Sequence, residues 1–238
     1  MSDWIILCDF DGTISVEDVT DSLLEHHAHP DWMALERRWK AGEIGSRQCL
    51  DGQIGMLDAD RRQLDALFAS MRIDRSFPAF VEAALAARIP VRIVSDGLDM
   101  AIEAILARQQ LEHLPIAANH LIADGQRRWR LEFPHARPDC HVGSGACKCA
   151  QVVLARKQRS KVLLIGDGAS DFCAAGQVDL VFAKHRLIEH CRMQGLPYVP
   201  ITSFADATLL LPSLLEGSLI PVAPAHEPSR LSSLTTHA

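Results

Sequence analysis

Residues 4–13 read Trp4-Ile5-Ile6-Leu7-Cys8-Asp9-Phe10-Asp11-Gly12-Thr13, and the fold class follows from how this stretch changes character. A run of apolar strand formers stops at a carboxylate, without the polar alternation of a half-exposed strand. It reads as a strand buried on both faces of a parallel sheet, delivering Asp9 to the carboxyl edge where open α/β folds place their chemistry. Asp9 and Asp11, one residue apart, are costly together unless a cation or a proton neutralises them.

Outward from this stretch, residues 17–72 show helical spacing and no strand. VTDSLLEHH, DWMALERRWKAGE, SRQCLDGQIGML and DADRRQLDALFASM are separated by Pro30, Gly42, Gly45 and an acidic turn at Asp58. The strand pattern resumes after a helix at FPAFVEAALAARI, with PVRIVSDG, and a helix follows at LDMAIEAILARQQL. Asp124-Gly125 marks a hairpin between two short strands, and a loop rich in Pro, Gly and Cys runs from Pro134 to Cys147. A helix is expected from about Ala150 to Gln158, then a strand at KVLLIG ending in acids, and a short helix near Phe172 to Gly176. Strands at Leu180–Ala183 and Tyr198–Ile201 flank a helix at RLIEHCRMQG. This alternation predicts an α/β fold with a doubly wound, mostly parallel Rossmann-like sheet. The expected organisation is a core of residues 1–16 and 74–220, a small helical cap of residues 17–73, and a disordered tail over 221–238.

With 48% hydrophobic residues, the 238-residue chain can bury a sizeable core without disulfides or structural metal. The net charge of −6, with basic residues dispersed, leaves no footprint for nucleic acid or an anionic membrane. The apolar runs are too short for a signal peptide or a spanning helix, so a cytoplasmic location is expected, with the seven cysteines mostly as thiols. The sequence does not specify an oligomeric state.

Three apolar strands lead into polar residues: Asp9 and Asp11, then Ser95, Asp96 and Gly97, then Asp167 and Asp171. Parallel strands would present these ends side by side, and Lys148, just ahead of a helix, can supply a cation. The ordered set DFDGT, VSDG, a lone Lys and GDGASD resembles the four motifs of the haloacid dehalogenase-like phosphatases, over about Trp4 to Leu215. The resemblance implies a phosphoric monoester hydrolase acting on a small phosphorylated metabolite. In it, Asp9 attacks phosphorus to form an aspartyl phosphate, and Asp11 protonates the leaving alkoxide and then deprotonates water. It also implies a metal held by Asp9, the Asp11 carbonyl and Asp167, with Asp171 bound through water or orienting Lys148. Mg²⁺ is the natural ion for such hard oxygen ligands. Ser95 and the Gly97 amide would hold phosphoryl oxygens, Lys148 would neutralise charge there, Gly12 would permit a tight turn, and Thr13 would orient. Ser95 could also serve as a helix N-cap, and Asp96 is either a turn residue or substrate-facing.

The helical insertion and short hairpin are similar to the phosphoserine phosphatase-like branch. GDGASDFCAAG and LVFAKHRLIEHCRMQGLPYVPITSF are similar to methionine-salvage phosphatases acting on 2-hydroxy-3-keto-5-methylthiopentenyl-1-phosphate. GDGASDFC and the Cys-rich approach to Lys148 are also similar to phosphoethanolamine/phosphocholine phosphatases. Phosphoserine phosphatases carry Glu where this chain has Asp18, and a carboxylate-reading Arg that aligns near Gln53, with Arg47 as a substitute. Losing that bidentate contact disfavours phosphoserine, and Asp18 is expected to read a hydroxyl or amine of the leaving group. Transfer of the phosphoryl group to an alcohol, and a non-catalytic binding protein, are the competing readings. Cys140, His141, Cys147 and Cys149 are read as free thiols or a zinc site, His26, His27 and His29 as solvated, and Trp32, Met33 and Trp39 as packing of the cap.

Overall fold

The computed structural model describes residues 2–222. Seven strands form one sheet: β1 Trp4–Cys8, β2 Val91–Leu98, β3 Ile116–Ala123, β4 Trp129–Glu132, β5 Lys161–Gly166, β6 Leu180–Ala183 and β7 Tyr198–Pro200. Their order is β4-β3-β2-β1-β5-β6-β7, parallel throughout except for the β3/β4 hairpin. β1 is therefore central, paired with β2 and β5, and all five of its residues are buried. Cys8 lies opposite both Ile93 and Ile165, so within one or two residues of that level come Asp9, Ser95 and Asp167. Register alone thus gathers three distant stretches at one edge.

Alternate β1 residues face two cores. Ile6 and Cys8 pack with Ile93, Leu163 and Phe182 under the helices α5 (Phe77–Ala86), α6 (Asp99–Ala107) and α10 (Phe204–Glu216). Ile5 and Leu7 pack with Val162, Leu164 and Val181 under α7 (Lys148–Arg156), α8 (Phe172–Ala175) and α9 (His185–Gln194). Between β1 and α5 stand α1 (Val19–His27), α2 (Trp32–Lys40), α3 (Ser46–Ile54) and α4 (Arg61–Ser70). Asp18 caps α1 by accepting from the Asp21 amide at 2.9 Å, and α4 starts with a capping box between Asp60 and Gln63. No helix of the described residues is long and apolar enough to cross a membrane.

Several sequence expectations need correction. β2 runs to Leu98, one residue past the expected PVRIVSDG, but its register against β3 slips between Val94 and Leu98, so Ser95–Gly97 form a bulge rather than a regular strand end. The Asn119 side chain of β3 holds this bulge by donating to the Asp96 carbonyl at 2.6 Å. α7 begins at Lys148 rather than near Ala150, because the Cys147 amide is held by the His135 carbonyl at 3.1 Å and the helix starts directly behind it. The 13-residue α10 has no counterpart among the sequence-based helices. Its signals were a capping box between Ser203 and Asp206 and a left-handed Gly217 at its end, masked by the internal Pro212. The expected tail from 221 opens with Val222 bridged to Tyr198 at 2.8 Å, and residues 223–238 lie outside the described residues.

α10 is secured by its first residue. Phe204 is fully buried, with ring centroids 4.8 Å from Phe77 and 5.1 Å from Phe80 on α5. Phe204→Ala should lower unfolding free energy by about 3–5 kcal/mol, and Phe204→Leu by clearly less, measured by urea denaturation.

Candidate active site

The turn after β1 is shaped by its own backbone and by two acids. The amides of Ile14 and Ser15 both donate to the Phe10 carbonyl, at 2.8 and 2.9 Å, curling the chain back immediately beyond Asp9. Gly12 adopts φ +70°, and a Cβ there would stand 2.7 Å from Asp167 Oδ2, so the site needs glycine for both conformation and space. Asp11 Oδ1 accepts from the Val19 amide at 2.9 Å, adding an acid to the positive end of α1. Thr13 is buried and its hydroxyl reaches Asp167 Oδ1 at 3.3 Å.

Lys148, the first residue of α7, is almost wholly buried. Its ammonium lies 2.8 Å from Asp9 Oδ1 and 2.6 Å from Asp171 Oδ1, and it donates to Ser170 Oγ at 2.9 Å. A cation at a helix start opposes the macrodipole, and burial disfavours the charge further. Asp171 and Asp9 overcome both and hold the ammonium well above the usual lysine range. Asp171 spends its other oxygen on the amides of Asp167 and Gly168, at 3.1 and 3.2 Å. Both of its oxygens are thereby engaged.

One cation does not balance this site. Burial, then repulsion from Asp171, raises the Asp9 carboxyl against the pull of Lys148, and burial with Asp171 raises Asp167. Asp9, Asp167 and Asp171 each offer an oxygen within 4.8 Å of the others. Among the described residues, Asp9 Oδ2 and Asp167 Oδ2 accept no hydrogen bond. A hard divalent cation fits this donor set in charge and in ligand type.

The β2 bulge completes the wall opposite. Ser95 Oγ accepts from the Gly97 amide at 3.0 Å and lies 3.5 Å from Asp11 Oδ2. A Cβ on Gly97 would collide with Asp11 Oδ2, so this close approach requires glycine. Asp96 turns away from Asp11: its Oδ1 accepts from the Ala146 amide at 2.8 Å, and its Oδ2 accepts from the Ser46 hydroxyl at the start of α3. Asp96 therefore borders the cavity while joining three segments.

These residues line a cavity of about 270 Å³ whose far wall comes from α1–α3. That wall carries Asp18, Asp21 and Glu36, with Trp39, Cys49, Leu50 and Gln53. Trp39 faces the cavity rather than only packing the helices, because α2 presents it on the same side as Glu36, one turn earlier. Gln53 is buried and donates to Glu36 at 3.1 Å. Arg47 is exposed and does not line the cavity; it sits at the solvent side of α3.

Contributors not singled out from sequence include Ser46, Asn119 and Lys184, and Asp21, Glu36, Ser170 and Arg186 of the cavity lining. Lys184 is buried, donates to the Thr13 carbonyl at 2.9 Å, and lies 3.7 Å from Asp74. It anchors the turn after β1 from behind. Its one sequence signal was a lysine directly after the wholly apolar β6, at the same edge as Asp9.

A sequence model of the haloacid dehalogenase-like hydrolases matches residues 6–176. A 2-hydroxy-3-keto-5-methylthiopentenyl-1-phosphate phosphatase of Exiguobacterium sibiricum is 31% identical over 208 residues, covering 84% of this chain and 93% of its own. A polyol phosphate phosphatase of Saccharomyces cerevisiae is 27% identical, with 90% and 94% covered. Among solved structures, a phosphoserine phosphatase in a phospho-aspartyl intermediate analogue form has a TM-score of 0.66 at 17% identity, with 87% and 97% covered.

The acidic wall carries a cost in stability. Burial, with repulsion from Asp18 and Glu36, pushes Asp21 up to about 7. An unfolded aspartate ionises near pH ~3.9, so between there and about 7 only the unfolded state loses this proton, and stability falls as pH rises. Asp21→Asn should raise Tm at pH 8, with the gain shrinking toward pH 4. A difference independent of pH would contradict this account.

Proposed function

The chain belongs to the haloacid dehalogenase-like hydrolases, and from that premise we propose a Mg²⁺-dependent phosphomonoesterase that works through an aspartyl phosphate on Asp9. The supporting observation is the buried Asp9–Lys148–Asp171 arrangement at a sheet edge that also gathers Asp11, Ser95 and Asp167. The phosphatases among its relatives match over most of their length, which supports the reaction class.

Asp9 uses the oxygen not engaged by Lys148 to attack phosphorus. Asp11, anchored through Oδ1 at the Val19 amide, keeps Oδ2 for the proton: it delivers one to the leaving alkoxide and then takes one from the water that cleaves the aspartyl phosphate. Lys148 balances charge shared between Asp9 and the phosphoryl oxygens, and the Ser95 hydroxyl with the Gly97 amide holds those oxygens. Asp9, Asp167 and the Asp11 carbonyl would hold Mg²⁺, with Asp171 assigned to Lys148. The ion supplies electrostatic screening between the carboxylate nucleophile and the phosphate dianion. Residues 17–73 act as the cap that reads the leaving group. A reducing, cytoplasmic setting suits the seven cysteines, all free thiols here.

The leading substrate reading is 2-hydroxy-3-keto-5-methylthiopentenyl-1-phosphate, the substrate named for several of the relatives. A second reading rests on the cavity wall. Asp18, Asp21 and Glu36 favour a leaving group rich in hydrogen-bond donors or carrying a positive charge, such as a polyol, ethanolamine or choline, so that phosphoethanolamine and phosphocholine are candidates. The same acids repel a carboxylate, and Gln53 cannot replace an arginine, so phosphoserine is disfavoured.

Asp9→Asn should lower hydrolysis of an aryl phosphate by at least about 10³-fold with the circular dichroism unchanged, and EDTA should abolish activity until Mg²⁺ is restored. Substantial activity in Asp9→Asn would sink the mechanism. Relative kcat/KM over methylthiopentenyl, polyol, amino-alcohol and serine phosphates decides between the substrate readings. Phosphate release with and without added alcohol separates hydrolysis from transfer.

A further inference from the structure

A second cavity, of about 810 Å³, opens on the other side of Lys148, beneath the loop of residues 134–147. Four of the seven cysteines line it: Cys140, Cys147, Cys149 and Cys173. Three come from the loop and the start of α7, and Cys173 arrives from α8. The thiols fall into two neighbouring pairs on this lining, Cys140 with Cys147 at the loop and Cys149 with Cys173 where α7 packs on α8. In the first pair Cys147 is buried, whereas both members of the second are partly exposed and open to a small oxidant.

The second pair has a particular place in the chain. Cys149 directly follows Lys148, and Cys173 lies two residues beyond Asp171, so the two thiols flank the segments that form the 2.6 Å ion pair. We propose that Cys149 and Cys173 form a peroxide-sensitive dithiol whose oxidation to a disulfide reversibly disables the active site. Hydrogen peroxide transfers one oxygen atom to the first sulfur, its O–O bond breaking and water leaving, to give a sulfenic acid. The second thiol then displaces the sulfenic oxygen as water and the S–S bond forms. Two thiols thus lose two hydrogens and two electrons, and one peroxide becomes two waters. A dithiol reductant reverses the change by exchange.

Geometry connects the bond to activity. A disulfide holds its sulfurs at about 2.05 Å, much closer than two thiols in contact, and would tie the first turns of α7 and α8 to each other in one fixed geometry. Those turns carry Lys148 and lie next to Asp171, and the contacts of 2.8 and 2.6 Å that join Lys148 to Asp9 and Asp171 lengthen if the cross-link displaces either turn. A misplacement of about 1 Å in such a site can cost about 10²-fold in rate.

The proposal relies on the phosphatase reading only for its activity readout. Purified protein, loaded with Mg²⁺, is exposed to graded hydrogen peroxide, then assayed with an aryl phosphate and mapped as non-reduced peptides. The expected result is a Cys149–Cys173 linked peptide that rises as activity falls by at least about tenfold, with dithiothreitol restoring both. Cys149→Ala and Cys173→Ala should keep near-wild-type activity and resist peroxide, while Cys140→Ala stays sensitive. The wild-type peptide map against activity stands even if a variant folds poorly. Activity loss without the linked peptide, the linked peptide without activity loss, loss tracking a Cys140–Cys147 link, or stoichiometric zinc bound by these thiols would each overturn it. An enzyme without phosphatase activity at any stage would instead refute the functional reading, and the peptide map would still report the disulfide.

Discussion

The site depends on one buried cation. Lys148 sits between Asp9 and Asp171 at the start of a helix, where both burial and the backbone dipole work against its charge. It is stable there because the two carboxylates supply what water no longer does, and they in turn are tolerable because the lysine is present. Asp171 also ties down the amides of the β5–α8 turn, so the ion pair organises backbone as well as charge. Gly166 follows from this packing, since a Cβ there would collide with the Asp171 carboxylate.

From that centre, hydrogen bonds run outward to the segments that enclose the cavity. Asp11 holds the first turn of α1 through the Val19 amide. Asp96 accepts from Ser46 on α3 and from Ala146 in the loop before α7, and Gly143 in the same loop accepts from the Arg47 amide. The helical block and the cysteine-bearing loop are thereby attached to the same bulge of β2. A shift in either would be felt at Ser95 and Gly97, the groups proposed to hold phosphoryl oxygens. This explains why so short a stretch as Ser95–Gly97 needs Asn119 to fix its carbonyl.

Much of the architecture was legible because burial on both faces writes itself as uninterrupted apolar runs. β1, β5 and β6 carry such runs, and their ends announced where acids would gather. The parallel register then brings Asp9, Ser95 and Asp167 to one level. α10 escaped because Pro212 interrupts its pattern, and local hydrogen bonding cannot reveal that Phe204 is held by aromatic packing against α5. The bulge in β2 escaped because Ser-Asp-Gly reads as a strand end when its neighbour is unknown.

By itself the sequence determined the α/β class, the sheet's parallel character and the residue types at its catalytic edge, because periodicity and apolar runs are local properties. Tertiary structure alone decided which oxygens remain open, since that depends on partners far along the chain. It turned Asp96 toward Ser46 and Ala146, committed both oxygens of Asp171, left Arg47 at the surface, and set Trp39 against the cavity. It also placed Lys184 beneath Thr13 and brought Cys173 and Cys149 to one cavity lining, juxtapositions of residues with no shared local pattern.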